Sequence, residues 1–143
     1  IYQEYNERTE EVSFKIDVID EEGVLVKSIR LNNSFHSGFT PIDFIIDKGG
    51  NIVVYDIEKT LMFDCDGEKT GETKTTNPEL AGFFEADSEV YAVYRCDEGT
   101  EIAKIDLDNA KIRTHCVLDY HIKGIAEKNE EYDVFFETDD GVR

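Results

Sequence analysis

Five residues from Asp64 to Glu68 carry the most recognisable site chemistry in this sequence. They read Asp-Cys-Asp-Gly-Glu, so two carboxylates alternate just before a glycine, as they do in calcium-binding loops. The full twelve-residue ligand series with a terminal bidentate glutamate is missing. Asp and Gly are also the residues that a hairpin turn requires. Turn formation therefore explains this segment better than a metal site, and the segment from Asp106 to Asn109 is a weaker version of it at the equivalent position.

The three histidines, His36, His115 and His121, are dispersed along the chain. Zinc ligands usually come in closely spaced pairs, so this spacing argues against a zinc site. The sequence has no Gly-x-Ser-x-Gly elbow. We therefore predict no catalytic residues, no metal ligands and no cofactor.

Composition limits the classes of protein to consider. The chain has 143 residues, of which 15 are basic and 33 acidic, and its net charge is −18. The length favours one domain with a real core, and the charge repels phosphate backbones, which argues against a nucleic-acid partner. No apolar run approaches the ~20 residues of a membrane span. The chain begins at Ile1 rather than Met, which leaves secretion open.

The cysteines, Cys65, Cys96 and Cys116, have no metal-like spacing, and their number is odd. We expect them to be reduced and to act as small buried apolar residues, with one disulfide pair as the alternative.

The residues between Phe39 and Thr70 organise the rest of the chain. Apolar residues alternate over 42–46, and a Gly-Gly-Asn turn follows at 49–51. The run Ile52–Tyr55 is apolar throughout and is typical of a strand that is buried on both faces. A second alternation over 61–65 ends at an Asp-Gly turn. This order predicts an antiparallel meander of four strands.

The same stretch resembles one blade of an NHL-type β-propeller. Such blades have a proline, an apolar pair and an aspartate, then a Gly-Asn turn, an apolar run and a short strand that ends in Asp-x-Asp-Gly. The residues that fit are Pro41, Asp47, Gly50, Asn51, Tyr55, Asp64, Asp66 and Gly67. The resemblance implies antiparallel four-stranded blades, and elsewhere in the chain it extends only to the pattern.

Turns and apolar runs recur at intervals of about 40 residues, as in propellers. We therefore predict an all-β fold, a partial β-propeller over residues 12–143 that follows a loose lead-in at 1–11. Its pieces are 12–31, 41–77, 80–118 and 122–138. A generic β-sandwich is the alternative, since its strands have similar spacing.

The two end pieces, 12–31 and 122–138, each have the pattern of half a blade. The first resembles the third and fourth strands only, and the second resembles the first and second only. The total is about three blades, fewer than closed propellers usually have. We expect either a piece of a longer protein or a homodimer in which two chains share blades.

One connector, Phe35-His-Ser-Gly-Phe39, is rich in aromatic residues and contains a histidine. Propellers gather such loops around a central channel where ligands bind, so Phe35, His36 and Phe39 are the candidate ligand-binding residues. The alternative is that these rings pack one blade on the next, because aromatic residues in short loops mostly pack. Tyr91, Tyr94 and Tyr120 also suit a carbohydrate ligand, although the first two lie in a predicted buried run.

The predicted function is a non-catalytic binding or protein-interaction module of a larger extracytoplasmic bacterial solute-binding or surface protein. Its ligand could be a small molecule, a carbohydrate or a protein. The alternative is a fragment of a propeller-type hydrolase or lyase whose active site lies mostly in other blades. Fold alone does not decide between them. We predict a core that includes Phe44, Ile46, Val53, Phe83, Val93, Val134 and Phe135, each of which sits in an apolar segment with strand periodicity.

Overall fold

The structure, a computed structural model, describes residues 1–6, 11–35, 39–75, 77, 79–128, 131–138 and 141–142. All regular elements among them are β-strands. In chain order these are β1 (Tyr2–Asn6), β2 (Glu11–Ile19), β3 (Leu25–Phe35), β4 (Asp43–Ile46), β5 (Ile52–Tyr55), β6 (Lys59–Phe63), β7 (Lys69–Lys74), β8 (Leu80–Ala86), β9 (Glu89–Cys96), β10 (Gly99–Asp106), β11 (Lys111–Leu118), β12 (Ile122–Lys128), β13 (Glu131–Thr138) and β14 (Gly141–Val142).

The strands form four antiparallel sheets, each a meander of consecutive strands. The first sheet contains β1–β3, the second β4–β7, the third β8–β11 and the fourth β12–β14. The predicted all-β fold with antiparallel four-stranded sheets is therefore confirmed for the second and third sheets. Among the described residues no strand pairing joins the first sheet to the fourth, so the array is open.

The second sheet is buried on both faces. Successive side chains of a strand point to opposite faces, and all four residues of Ile52–Tyr55 are buried. Ile52 and Val54 pack with residues of the first sheet, whereas Val53 and Tyr55 pack with residues of the third. A two-layer sandwich gives each sheet only one packed face, so the first three sheets stack as successive layers.

The first sheet has one packed face and one polar face. Phe14, Ile16, Ile29 and Leu31 are buried against the second sheet. On the opposite face Lys15 pairs with Glu4 at 2.8 Å between Nζ and Oε1. Ser28 donates a hydrogen bond to Asp17 at 2.7 Å on that same face. This face therefore satisfies its side chains by polar contacts rather than by packing.

A buried threonine connects the third sheet to the fourth. Thr100, which has no exposed surface, donates a hydrogen bond to the Tyr120 carbonyl at 2.8 Å. Its hydroxyl also accepts one from the Ile122 amide at 2.8 Å. The chain is thereby fixed at the point where β12 begins.

Both ends of the chain differ from the prediction. Residues 1–11 were expected to be loose, but Tyr2–Asn6 forms β1 and pairs with β2. At the other end β14 pairs with the last two residues of β13. Each terminal sheet therefore has three strands instead of the predicted two. Together the two terminal sheets contain six strands, not the four strands of one complete blade.

The predicted core is only partly confirmed. Val53 and Val93 are fully buried, and the half-buried Phe44 and Phe83 pack against the two core clusters. The prediction was wrong for Ile46, which ends the edge strand β4 and is 36% exposed, and for Phe135, which is 40% exposed. The side chain of Val134 lies outside the described residues.

The three cysteines are free thiols, as predicted, but burial was wrong for Cys65, which is exposed. Strand β6 ends at Phe63, so Cys65 belongs to the turn that follows rather than to the alternating strand. Cys96 and Cys116 are half-buried. No helix among the described residues is long and apolar enough to cross a bilayer.

Candidate functional site

A cleft of about 790 Å³ lies between the second and third sheets, at the end where the β4–β5, β8–β9 and β10–β11 turns meet. Its lining combines carboxylates, cations, amides and hydroxyls with a few core side chains. The lining residues are Asp47, Asn51, Phe63, Thr70, Ser88, Glu89, Val90, Lys104, Ile105, Asp106, Leu107, Asp108, Asn109 and Arg113.

The wall from the second sheet is fixed by Asp47. One carboxylate oxygen accepts a hydrogen bond from the Asn51 backbone amide at 2.7 Å, and the other accepts one from Asn51 Nδ2 at 2.8 Å. The Gly50 amide donates to the Asp47 carbonyl at 2.9 Å. This is the Gly-Gly-Asn turn predicted from the sequence, and its polar side chains are held in fixed positions beside the cleft.

In the wall from the third sheet, Asp106 is likewise held by hydrogen bonds from an asparagine of its own turn. The Asn109 backbone amide donates a hydrogen bond to Oδ1 of Asp106 at 3.0 Å, and Asn109 Nδ2 donates to the same oxygen at 3.1 Å. These bonds, the backbone one first, lower the pKa of Asp106 below its ordinary value. The carboxylate is therefore kept ionised and fixed by its own turn, with Asp108 beside it.

Two cations face each other beside these turns. Lys104 and Arg113 are direct partners in the β10–β11 ladder, an arrangement that is destabilising for like charges. Glu89 offsets one of them through a 2.7 Å contact between its Oε1 and Lys104 Nζ. This hydrogen bond raises the pKa of Lys104. Arg113 forms no ion pair with any residue that the structure describes.

The β8–β9 turn has an uncommon backbone. Asp87 and Ser88 have φ angles of 53° and 61°, so two successive residues other than glycine occupy the left-handed region. Paired positive φ angles characterise the tightest hairpin turns, and left-handed backbone is unfavourable for most L-residues. This turn brings Ser88 to the rim of the cleft.

The residues predicted to bind a ligand lie elsewhere. Phe39 is buried, and its ring centroid is 5.4 Å from that of Phe14 and 4.8 Å from that of Phe35. Phe35 also approaches Phe63 of the second sheet at 6.5 Å. These contacts agree with the alternative prediction, in which the aromatic rings pack against neighbouring residues instead of binding a ligand. His36 lies outside the described residues, so a ligand contact there stays a prediction.

The calcium-like segment is a turn. Oδ1 of Asp64 accepts hydrogen bonds from the Asp66 amide at 3.0 Å and from the Glu68 amide at 2.9 Å. No group of three His, Cys, Asp or Glu side chains suited to a metal was found in the described part of the chain.

The tyrosines of the carbohydrate hypothesis are dispersed. Tyr94 is buried and burial raises its pKa, whereas Tyr120 is 43% exposed. Tyr91 was expected in the core but is half-buried. Its ring stacks on Phe84 at 5.0 Å and contacts His115 at 5.4 Å between centroids. These rings therefore do not form one platform.

The cleft was not predicted from the sequence, although two signals for it exist. The turns at 47–51 and 106–109 share an aspartate followed by an asparagine, and the alternating order of a meander places them at one end of the sheets. Lys104 and Arg113 are equally distant from the β10–β11 turn, so a hairpin places them opposite each other.

No family model matches this chain, and no curated protein matches it.

Proposed function

We propose that this chain is a non-catalytic binding module and that the cleft between the second and third sheets holds its ligand. The proposal is carried by one observation: a cleft of about 790 Å³ is bounded by charged and amide side chains that their own turns hold in place. Pre-positioned polar groups in a concave site give orientation and specificity to a bound molecule. Asp47 and Asp106 fix the two walls of the cleft in this account, because each is already engaged by an asparagine of its own turn.

The proposed parent architecture is an NHL-like β-propeller. Its support is the repeated four-stranded meander and a second sheet that is packed on both faces, as an internal blade is. In propellers the ends of the blades form the binding face, and the cleft lies at such an end.

The proposed setting is a larger extracytoplasmic solute-binding or surface protein of a bacterium. The support is the strongly acidic composition, with a net charge of −18, which favours solubility and does not suit a phosphate-rich partner. This part of the proposal associates the fold and the composition with a cellular location, and it is independent of the chemistry of the cleft.

The alternative to a larger protein is a homodimer in which the terminal sheets of two chains are shared. Joining the first sheet of one chain to the fourth of another makes six strands rather than four, because each has three. The dimer therefore requires β1 and β14 to leave their present positions. Light scattering decides this point: deletion of residues 122–143 abolishes such a dimer, and a well-folded monomer at all concentrations rules it out.

The test of the cleft is a ligand screen on ¹⁵N-labelled protein. A panel of amino acids, sugars and short peptides is added while backbone amide shifts are recorded. The proposal expects a ligand that perturbs Asn51, Ser88 and Asn109 and leaves the opposite ends of the sheets, at Glu58 and Glu98, unchanged. Shifts confined to those opposite ends contradict the proposed site. Chemical conversion of a bound compound contradicts the non-catalytic role and favours the hydrolase or lyase alternative.

A further inference from the structure

Arg113 is the second cation of the cleft, beside Lys104. It belongs to a chain in which acidic residues outnumber basic ones by 33 to 15. Arg113 lines the cleft and is exposed. It forms no ion pair with a described residue, but after the hydrogen bonds from Asn109 its charge also contributes to the lowered pKa of Asp106. It also lies directly opposite Lys104, an arrangement that destabilises the sheet. The Asp106 carboxylate interacts electrostatically with both cations, and an anion bound to Arg113 would offset their repulsion further.

The cations differ in their availability. Lys104 already has a close partner in Glu89, whereas the guanidinium of Arg113 keeps its donors for another group. A guanidinium presents five donors in a planar fork that matches the two oxygens of a carboxylate. Arg113 is therefore the residue that would bind an anionic group, with Lys104 adding to the local positive potential.

An anionic group also lines the same cleft. Asp108 lies in the β10–β11 turn. Its carboxylate makes no hydrogen bond or ion pair with any residue that the structure describes. The neighbouring Asp106 differs, because Asn109 occupies it. The cleft thus presents one unpaired cation and one unpaired carboxylate in the described part of the chain.

Long-range electrostatics select among the ligands that Arg113 could bind. A protein with a net charge of −18 repels anions as they approach. A molecule of zero net charge that carries both a carboxylate and an ammonium group is not repelled. It satisfies Arg113 and Asp108 together.

We infer that the cleft binds a small zwitterion, with its carboxylate on Arg113 and its ammonium group directed to Asp108. The inference rests on the proposed function, since it names the ligand class of the same cleft. Free amino acids and the side chains and termini of peptides share this chemistry.

The test uses three probes of one carbon skeleton: 6-aminohexanoate, hexanoate and hexylamine. Each is titrated into ¹⁵N-labelled protein, together with glycine as a zwitterion of short charge separation. We expect a zwitterion to shift the amides of Asp108 and Arg113 and to bind at least about tenfold more tightly than hexanoate or hexylamine. Equal binding of hexanoate indicates a simple anion site, and equal binding of hexylamine a simple cation site. Either result overturns the inference.

The matched variants are Arg113→Gln and Lys111→Gln. Both remove one positive charge from β11, but Lys111 does not line the cleft. Arg113→Gln should weaken zwitterion binding about tenfold or more, whereas Lys111→Gln should leave it within about twofold. Arg113→Lys, which keeps the charge without the fork, should lie between them. Equal effects of the two glutamine variants would show that only net charge matters.

The failure of this inference is distinguishable from failure of the proposed function. If no zwitterion binds but another compound perturbs the amides of Asn51 and Asn109, the binding role stands and the zwitterion is rejected. If a bound compound perturbs only the opposite end of the sheets, both are rejected. Unfolding curves of the variants confirm that each is folded, which is expected because Arg113 and Lys111 are exposed.

Discussion

The second sheet is packed on both faces, whereas the first sheet is packed on one face only. Every residue of Ile52–Tyr55 in the second sheet is buried, because a neighbouring sheet covers each face. In the first sheet Phe14 and Ile16 are buried while Lys15 between them is paired with Glu4 on the other face. A continuous apolar run therefore marks a middle layer of the stack, and strict alternation marks a layer that is packed on one side only.

The largest effect is expected at the contact between these two sheets. Phe63 is 1% exposed and packs in the cluster with Ile52 and Phe14. Phe63→Ala should lower the free energy of unfolding in urea by about 3–5 kcal/mol. Phe135→Ala, at a position that is 40% exposed, is the matched control and should cost clearly less. Equal losses would show that the packed interface has been assigned to the wrong residues.

A smaller effect is expected where the turn after β6 meets β3. Gly67 has a φ of 85°, and a methyl group there would collide with the Arg30 carbonyl oxygen of the first sheet. Gly23 has a φ of 81° but open space around it. Gly23→Ala should cost the left-handed strain alone, about 1–2 kcal/mol, and Gly67→Ala should cost more because backbone must also move. Thermal or urea unfolding of both variants measures the difference, which vanishes if the sheets do not approach each other here.

The smallest effect is expected in the free energy of unfolding at acidic pH. The folded pKa of Asp106 is lowered, chiefly by the Asn109 backbone amide. The stabilisation is therefore present above the unfolded pKa of about 3.9 and is lost as the pH falls through the lower folded value. Asp106→Asn should flatten the decline of stability below about pH 4. Asp108→Asn, which removes the same charge from the same turn, controls for net charge, and an equal flattening by both would refute the role of the Asn109 bonds.

Periodicity predicted the two middle sheets well, because their strands carry their own apolar patterns and turn residues. The run at Ile52–Tyr55 and the turn at Gly50 and Asn51 lie where the pattern placed them. The edge strand β1 was missed because its residues are mostly polar and it is held by backbone pairing with β2. An edge strand of this kind has little hydrophobic signal to detect.

Burial was predicted less well than strand position, and the reason is geometric. A period of two shows which residues share a face, but it does not show whether another sheet covers that face. Ile46 and Phe135 follow the expected alternation and are exposed, whereas Phe35 and Phe39 pack in the first core cluster. The cleft was missed for a related reason, since its residues come from turns that are distant in the sequence and are brought together by stacking.

Alanine substitution at two pairs of adjacent residues tests the layered account most directly. Leu61 and Met62 are both fully buried on opposite faces of the second sheet, so each substitution should cost about 2–5 kcal/mol in urea unfolding. In the first sheet Ile16→Ala should cost a similar amount, and Lys15→Ala, which loses only the surface pair with Glu4, should cost much less. A neutral Met62→Ala, or a Lys15→Ala as damaging as Ile16→Ala, would contradict the stack of sheets that forms the cleft.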